Sequence, residues 1–567
     1  MPRRPRNPVH RSAAVMSGTK SQKIANLLQK GLTLHRQGNL GSAKQIYEKI
    51  LKKQRNHFDA LQLLGTIYSQ IGQHDAALQF FDKALRIDKT DAAVFYNRGK
   101  ALEELERYGD ALVSYEEALR IKPNYVEAIY NRGNALRDLK RFDEAITSYD
   151  EAVRIQPDHA GAMNNRGNAL QELKRFDDAI KSFDEALRVQ PYHAEVMINR
   201  GNALQKLQRF DDALAGYDEA LLTQPDYAEA LINRGNVLQE LKEFDDALAS
   251  YDEALRIKPN YTEATWNKSL LLILTGNYLD GWMLYEARLQ KEDLKKNYPA
   301  YPQLAWRGKE DVRGKKILIH SEQGLGDSIQ FIRYLDQIHQ LGADIILEVP
   351  KTLTTLANTI KTPITVVEKG SKLPEFDAYC PLLSLPYVFK TTVDTIPSVI
   401  PYLSADKQKV SEWNSRLGVK TRKRIGLVWS GSAGHTNDQN RSIPLEVFAD
   451  LLKLPVEWHS LQNEYRTEDK NFLDGHPEVR QHQEELDDFA DTAALIECMD
   501  LVISVDTSVA HLAGALGKTT WILLPFSPDF RWMLEREDCP WYPTAKLLRQ
   551  DEERDWKKVI MKLMREL

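Results

Sequence analysis

Three short stretches in the second half of the chain carry side chains fit for chemistry. "HSEQGLGDSIQF" (320–331) places Gly324 and Gly326 just before Asp327. Glycines between a strand and a helix leave backbone N–H groups free to face an anion. Asp327 has two readings: a carboxylate that accepts a proton in a cleft, or a helix cap completed by Gln330. "WSGSAGHTNDQNRSIP" (429–444) runs from Ser430 and Gly431 through small residues to Arg441. Small residues let a phosphate approach the backbone, and a guanidinium neutralises it with two parallel hydrogen bonds. The competing reading is a surface loop with an incidental arginine. "SVDTSVAHLAGALGKTTWILL" (504–524) ends an apolar run at Asp506, then gives Thr507, Ser508 and His511 at the start of a small-residue helix. Two hydroxyls and a helix N-terminus form an anion site. His511 by itself is as well explained by packing.

These stretches need strands and helices to hold them. "KKILIHSE", "ADIILEVP", "RIGLVWS", "VEWHSLQ", "LVISVD" and "TTWILLP" read as strands separated by helical patterns. Such alternation predicts parallel sheets covered by helices on both faces, with ligands at the strands' carboxyl ends. Two α/β halves are expected, at 313–405 and 406–567. The aromatic stretch with Phe526, Phe530, Trp532 and Trp541 is expected to pack the seam between them, or to stack on a bound base or sugar. A dinucleotide fingerprint would want a glycine where Ile329 stands, which argues against a nicotinamide cofactor.

The first half is periodic. Gly31, Gly65, Gly99, Gly133, Gly167, Gly201 and Gly235 follow one another at 34-residue intervals, and Ser269 takes the next slot. Alanine keeps the same step at Ala118, Ala152, Ala186, Ala220 and Ala254, an aromatic at Tyr115, Tyr149, Phe183, Tyr217 and Tyr251, and proline at Pro123, Pro157, Pro191, Pro225 and Pro259. This pattern resembles the tetratricopeptide repeat over 21–290, about eight units, with 291–312 as a linker. Each helix pair is too small to bury its own apolar face, so stacking is expected to build a curved solenoid with a binding groove. Asn97, Asn131, Asn165, Asn199, Asn233 and Asn267 sit two residues before the glycine slot and point away from the helix-pair seam. They are read either as a ladder of amides that holds an extended chain by its backbone, or as bridges between neighbouring units. The ladder resembles that of O-linked N-acetylglucosamine transferase. The arginines beside them (Arg98 to Arg234) are expected to make inter-repeat salt bridges.

Composition bounds the partners. The chain has 567 residues, enough for two to four domains, and a net charge of −5 from 76 basic and 81 acidic residues. That balance gives no global reason to expect nucleic acid. Cys380, Cys498 and Cys539 are scattered, which fits a reducing, cytoplasmic setting without a zinc or disulfide framework. No apolar run is long enough to span a membrane. The basic, proline-rich residues 1–20 read as a disordered tail.

Taken together, "GD" in the first stretch, "RSIP" in the second and "DTSVAHLAGALG" in the third resemble glycosyltransferase family nine, the heptosyltransferase family. The resemblance covers about 313–545. It implies an α + α/β multidomain chain: a tetratricopeptide α-solenoid followed by a GT-B-like pair of Rossmann-like domains. It implies a nucleotide-sugar donor as substrate, no cofactor and no required metal. By this resemblance Asp327 stands where the base is, and Arg441, Thr507, Ser508 and His511 stand where the donor's diphosphate and sugar are held. The expected function is inverting glycosyl transfer to an acceptor recruited by the repeats, a protein or peptide. A glycan or lipid-linked acceptor, or a non-catalytic scaffold, are the alternatives. The amino-terminal half looks shorter than in the lipopolysaccharide enzymes, so sugar and acceptor do not carry over.

Overall fold

The structure is a computed structural model that describes residues 11–295, 298–299, 301–434 and 437–567. The expected tail at 1–20 is corrected in part. Residues 11–20 open the helix Arg11–Arg36, and 1–10 lie outside the described residues. The chain divides into two compact units, Met1–Asn233 and Arg234–Leu567. The sequence boundaries at 290, 312 and 405 do not mark this division.

The first unit is a run of antiparallel helix pairs. The glycine slots are close approaches. A Cβ on Gly133 would lie 2.5 Å from Tyr149 Cε1, and one on Gly167 would lie 2.4 Å from Phe183 Cε1. The aromatic that follows each glycine therefore lies flat on the bare backbone of the first helix. The buried alanines fill the same seam. Gly133→Ala is expected to cost about 1–3 kcal/mol by overpacking, read as a lower midpoint in thermal or urea unfolding.

The asparagines join consecutive repeats. Asn165 Nδ2 donates to Asn134 Oδ1 and to the Tyr130 hydroxyl, both at 2.9 Å. Asn199 donates to Asn164 Oδ1 at 3.1 Å and Asn233 to Asn202 Oδ1 at 2.9 Å. Asn131 donates to the Tyr96 hydroxyl at 3.2 Å. The neighbouring arginines do the same work with charge. Arg98 reaches Asp82 in the preceding pair at 2.8 Å, and Arg166 links Asp150 of the preceding pair to Glu185 of its own.

The second unit begins with helices of the same pattern, Phe244–Ile257, Thr262–Leu274 and Tyr278–Tyr285. Within it Asn267 donates to Asn236 Oδ1 at 2.8 Å. Among the described residues eleven strands follow: β1 Leu304–Ala305, β2 Lys316–His320, β3 Asp344–Val349, β4 Ile364–Glu368, β5 Ala378–Pro381, β6 Arg424–Val428, β7 Glu457–Ser460, β8 Val479–Arg480, β9 Leu501–Val505, β10 Thr520–Leu524 and β11 Ala545–Arg549. They form two parallel sheets, ordered β1-β5-β2-β3-β4 and β11-β10-β9-β6-β7-β8. Every residue of β6 and β9 is buried, as expected for central strands covered on both faces. All six strands read from the sequence are present. The three chemical stretches leave the carboxyl ends of β2, β6 and β9.

Candidate active site

Each stretch is positioned by the strand before it. After β2 the chain turns through Ser321–Gln323 into the helix Leu325–Phe331. Asp327 reaches back from the first turn, and its Oδ2 accepts from the Gly324 N–H at 2.8 Å. Its Oδ1 is ion-paired with Arg531. One expectation is corrected here. Gln330 does not complete a cap; its Oε1 accepts from Arg531 Nε at 2.8 Å. The Gly324 N–H is taken by Asp327. A Cβ on Gly326 would lie 2.8 Å from His511 Cδ2 and 3.4 Å from the Ser508 Cα. Gly326 lets the helix after β2 touch the helix Ser508–Ala515 after β9, so the first and third stretches meet.

The second stretch joins them through Arg441. Its Nη1 donates to the Asp506 carbonyl at 3.0 Å. The guanidinium lies across Gly431, where a Cβ would fall 2.4 Å from Nη2. Any side chain at 431 would displace Arg441. Asp438 braces the loop, accepting from the Ser442 hydroxyl at 2.7 Å and from Arg466 Nη2 at 2.5 Å. His435 in this loop lies outside the described residues. Two groups here are buried without a hydrogen-bond partner, Ser430 Oγ and Arg441 Nε. Arg441 Nε lies 3.9 Å from Asp438 Oδ1, too far for a hydrogen bond. Thr507 begins the helix Ser508–Ala515 without a side-chain cap bond. Its hydroxyl shares a hydrogen bond with Ser504 Oγ at 3.1 Å, which leaves the helix end open to an acceptor.

The charges are packed tightly. Arg531 donates to Asp529 Oδ1 at 2.7 Å in addition to pairing with Asp327. Burial raises the Asp327 carboxyl above its ordinary value, against the pull of Arg531. Asp506 is pushed up to about 6, first by burial and then by Asp529, with Arg531, the Trp532 indole and Arg441 opposing. His511 is held well below the ordinary histidine value by burial, then by Arg531, Arg333 and Arg441. Its Nδ1 bonds the Tyr542 hydroxyl at 2.9 Å and its ring stacks on Trp532 with centroids 5.2 Å apart. It is a neutral, packed histidine at the edge of the site.

Sequence reading missed Asp529, Arg531 and Arg333. Arg531 was in view in "PDFRW", inside the stretch read as an aromatic seam. That seam is only partly between the sheets. Phe530 and Trp541 pack on the last helical pair, against Trp282, Tyr285 and Tyr278. Among the described residues, no three His, Cys, Asp or Glu side chains gather to hold a metal ion. No helix among them is long and apolar enough to cross a membrane.

Buried neutral histidines give the fold a pH dependence. Both ring nitrogens of His320, at the end of β2, lack partners, and burial, then Lys369 and Arg288, holds it down to about 4. Its folded value lies below its unfolded one. The unfolded chain therefore binds more protons between pH 6.5 and 4, and stability falls as pH falls through that window. His320→Phe removes this loss. The variant is expected to gain about 2 kcal/mol on wild type between pH 7 and pH 5, read from urea midpoints.

Comparison with known proteins bears on the helical part. Residues 96–160, 130–194, 164–204 and 198–262 match the tetratricopeptide repeat family, and 23–90 match a second family of that description. The helix pairs are tetratricopeptide repeats. FlbA of Caulobacter vibrioides is 27% identical over 302 residues, 49% of this chain and 50% of FlbA. The chain thus spans about half the length of that curated relative. Among solved structures, MamA is 27% identical, covering 28% of this chain and 94% of its own, with a TM-score of 0.28. YrrB, described as a TPR protein with an unusual peptide-binding site, is 24% identical over 34% of this chain and 98% of its own, with a TM-score of 0.30.

Proposed function

We propose that the chain is a glycosyltransferase of GT-B architecture. It moves a sugar from a nucleotide-sugar donor to an acceptor, a protein or peptide, recruited in the cytoplasm by the tetratricopeptide repeats. The observation that carries this reading is the convergence of three separate strand ends. Asp327, Arg441 and the open helix end at Ser508 come together through the Gly326–Ser508 contact and the Arg441–Asp506 bond.

In the proposed reaction the acceptor hydroxyl attacks the anomeric carbon from the face opposite the leaving group. A new C–O bond forms as the bond to the diphosphate oxygen breaks, and the electron pair leaves with the nucleotide diphosphate. The hydroxyl proton passes to the Asp327 carboxylate. Burial makes that carboxylate a better base than an exposed aspartate, against the opposing pull of Arg531. Arg441 Nε, Ser430 Oγ and the N–H groups at Ser508 answer the charge that develops on the diphosphate. Preorganised donors of this kind are the usual main source of stabilisation. No metal is needed for that charge balance.

A thermal-shift panel of UDP-, GDP-, ADP- and CMP-sugars tests the reading without an acceptor. One nucleotide class is expected to raise the unfolding midpoint, corresponding to about 2.7 kcal/mol at a hundred times its dissociation constant. No shift with any nucleotide sugar would remove the transferase and leave the repeats as a binding array.

A further inference from the structure

The last tetratricopeptide repeat breaks its own pattern at a buried position. In the preceding repeats the slot 34 residues apart holds Ile50 in the first and then Ala84, Ala118, Ala152, Ala186, Ala220 and Ala254, each fully buried. The next position in register is Arg288, and it too is fully buried. The helix that carries the slot is also altered. It runs only from Tyr278 to Tyr285 and tightens into a 3-10 turn at Glu286–Gln290, where the earlier ones run fourteen residues, as in Phe244–Ile257. A repeat that only stacked on its neighbour would have no use for a guanidinium there.

Arg288 grips the turn that carries Asp327. Its Nη2 and Nε donate to the two carboxylate oxygens of Glu322, at 2.9 and 3.2 Å. Neither side chain is exposed. Glu322 lies two residues before Gly324, and its Oε1 also accepts from the Leu383 N–H at 2.9 Å, at the end of β5. The remaining donors of Arg288 go to Ser384 Oγ at 2.7 Å and Glu286 Oε1 at 2.6 Å. The same repeat holds the other end of the Asp327 helix. Trp282 packs edge-on against Phe331, its last residue, with centroids 6.0 Å apart. Trp282 and Tyr285 both lie at 5.9 Å from Phe530, whose ring carries the Arg531 guanidinium at 4.3 Å.

We infer that Arg288 is a positioning residue for Asp327, and that the terminal repeat is a built-in part of the site. It clamps the 321–331 segment at both ends and supports the Arg531 that pairs with Asp327. The meaning of Asp327 rests on the transferase reading; the clamp itself does not. Removing one member of a fully buried, doubly hydrogen-bonded pair strands the other charge, and a lysine cannot reproduce the fork.

Hydrogen exchange on the full chain, followed peptide by peptide, tests this. Arg288→Ala restores the repeat's own residue, so a purely repeat-packing role expects no loss. The clamp expects exchange across 321–331 to rise about tenfold or more, with Arg288→Lys between Ala and wild type. Peptides over Phe244–Ile257 and Leu501–Val505 are expected to keep their protection. Unchanged exchange at 321–331, or equal loss throughout 234–567, would overturn the inference. Once the thermal-shift panel has given a donor, Arg288→Lys is expected to lower kcat at unchanged donor affinity. A panel with no binder defeats the transferase reading alone, and the exchange result still decides the clamp.

Discussion

Asp327→Asn is expected to slow sugar transfer by about 10²–10⁴-fold, the usual contribution of a positioned general base. The amide keeps the shape and can still accept from the Gly324 N–H, but it cannot take a proton. Arg531 loses one charged partner and retains Asp529 at 2.7 Å, so the variant is expected to fold and to bind the nucleotide. Wild-type activity is expected to fall on the acid side at a pH above the ordinary aspartate value, because burial outweighs Arg531 in setting that carboxyl. The variant's residual rate is expected to lack that limb. Transfer assays across pH, with unfolding midpoints as the control for folding, check both points. Full activity in the amide variant would take Asp327 out of the chemistry.

Arg441→Ala is expected to lower kcat and kcat/KM together by about 10²–10³-fold, as removal of a preorganised donor at a developing charge does. Arg441 bridges two stretches, since it lies across Gly431 and donates to the Asp506 carbonyl. Its Nε has no hydrogen-bond partner and lies 3.9 Å from Asp438 Oδ1. Affinity for free nucleotide diphosphate is expected to fall as well, and Arg441→Lys is expected to recover only part of it, because an ammonium lacks the planar fork. Steady-state kinetics and diphosphate titration measure the two effects. An unchanged kcat with a raised KM and weaker diphosphate binding would assign Arg441 to ground-state binding alone.

What was legible in the sequence was whatever repeats or alternates over short range. The 34-residue register exposed the helix pairs because glycine and aromatic must meet sixteen residues apart, as Gly133 and Tyr149 do. The long apolar strands announced themselves by composition. β4 and β5 did not: "ITVVE" follows a proline turn, and "AYCP" is only four residues long. The site was half-legible. Asp327, Arg441 and Ser508 could be named from glycine, hydroxyl and helix-start signals. Arg531 could not be assigned to Asp327, because 204 residues separate them and no local pattern reports such a pairing. The close approach at Gly326 was hidden for a related reason. A glycine that clears room for a phosphate and one that clears room for His511 look alike until the neighbour is known.

The amide contacts of the array have a bearing on how it is made. The asparagine bonds between repeats span only 31 or 35 residues, from a repeat to the one just before it. Nothing in that chain of contacts waits for a distant segment. As the polypeptide leaves the ribosome, every newly exposed pair meets a docking edge that is already complete, so the array can grow by accretion at low contact order.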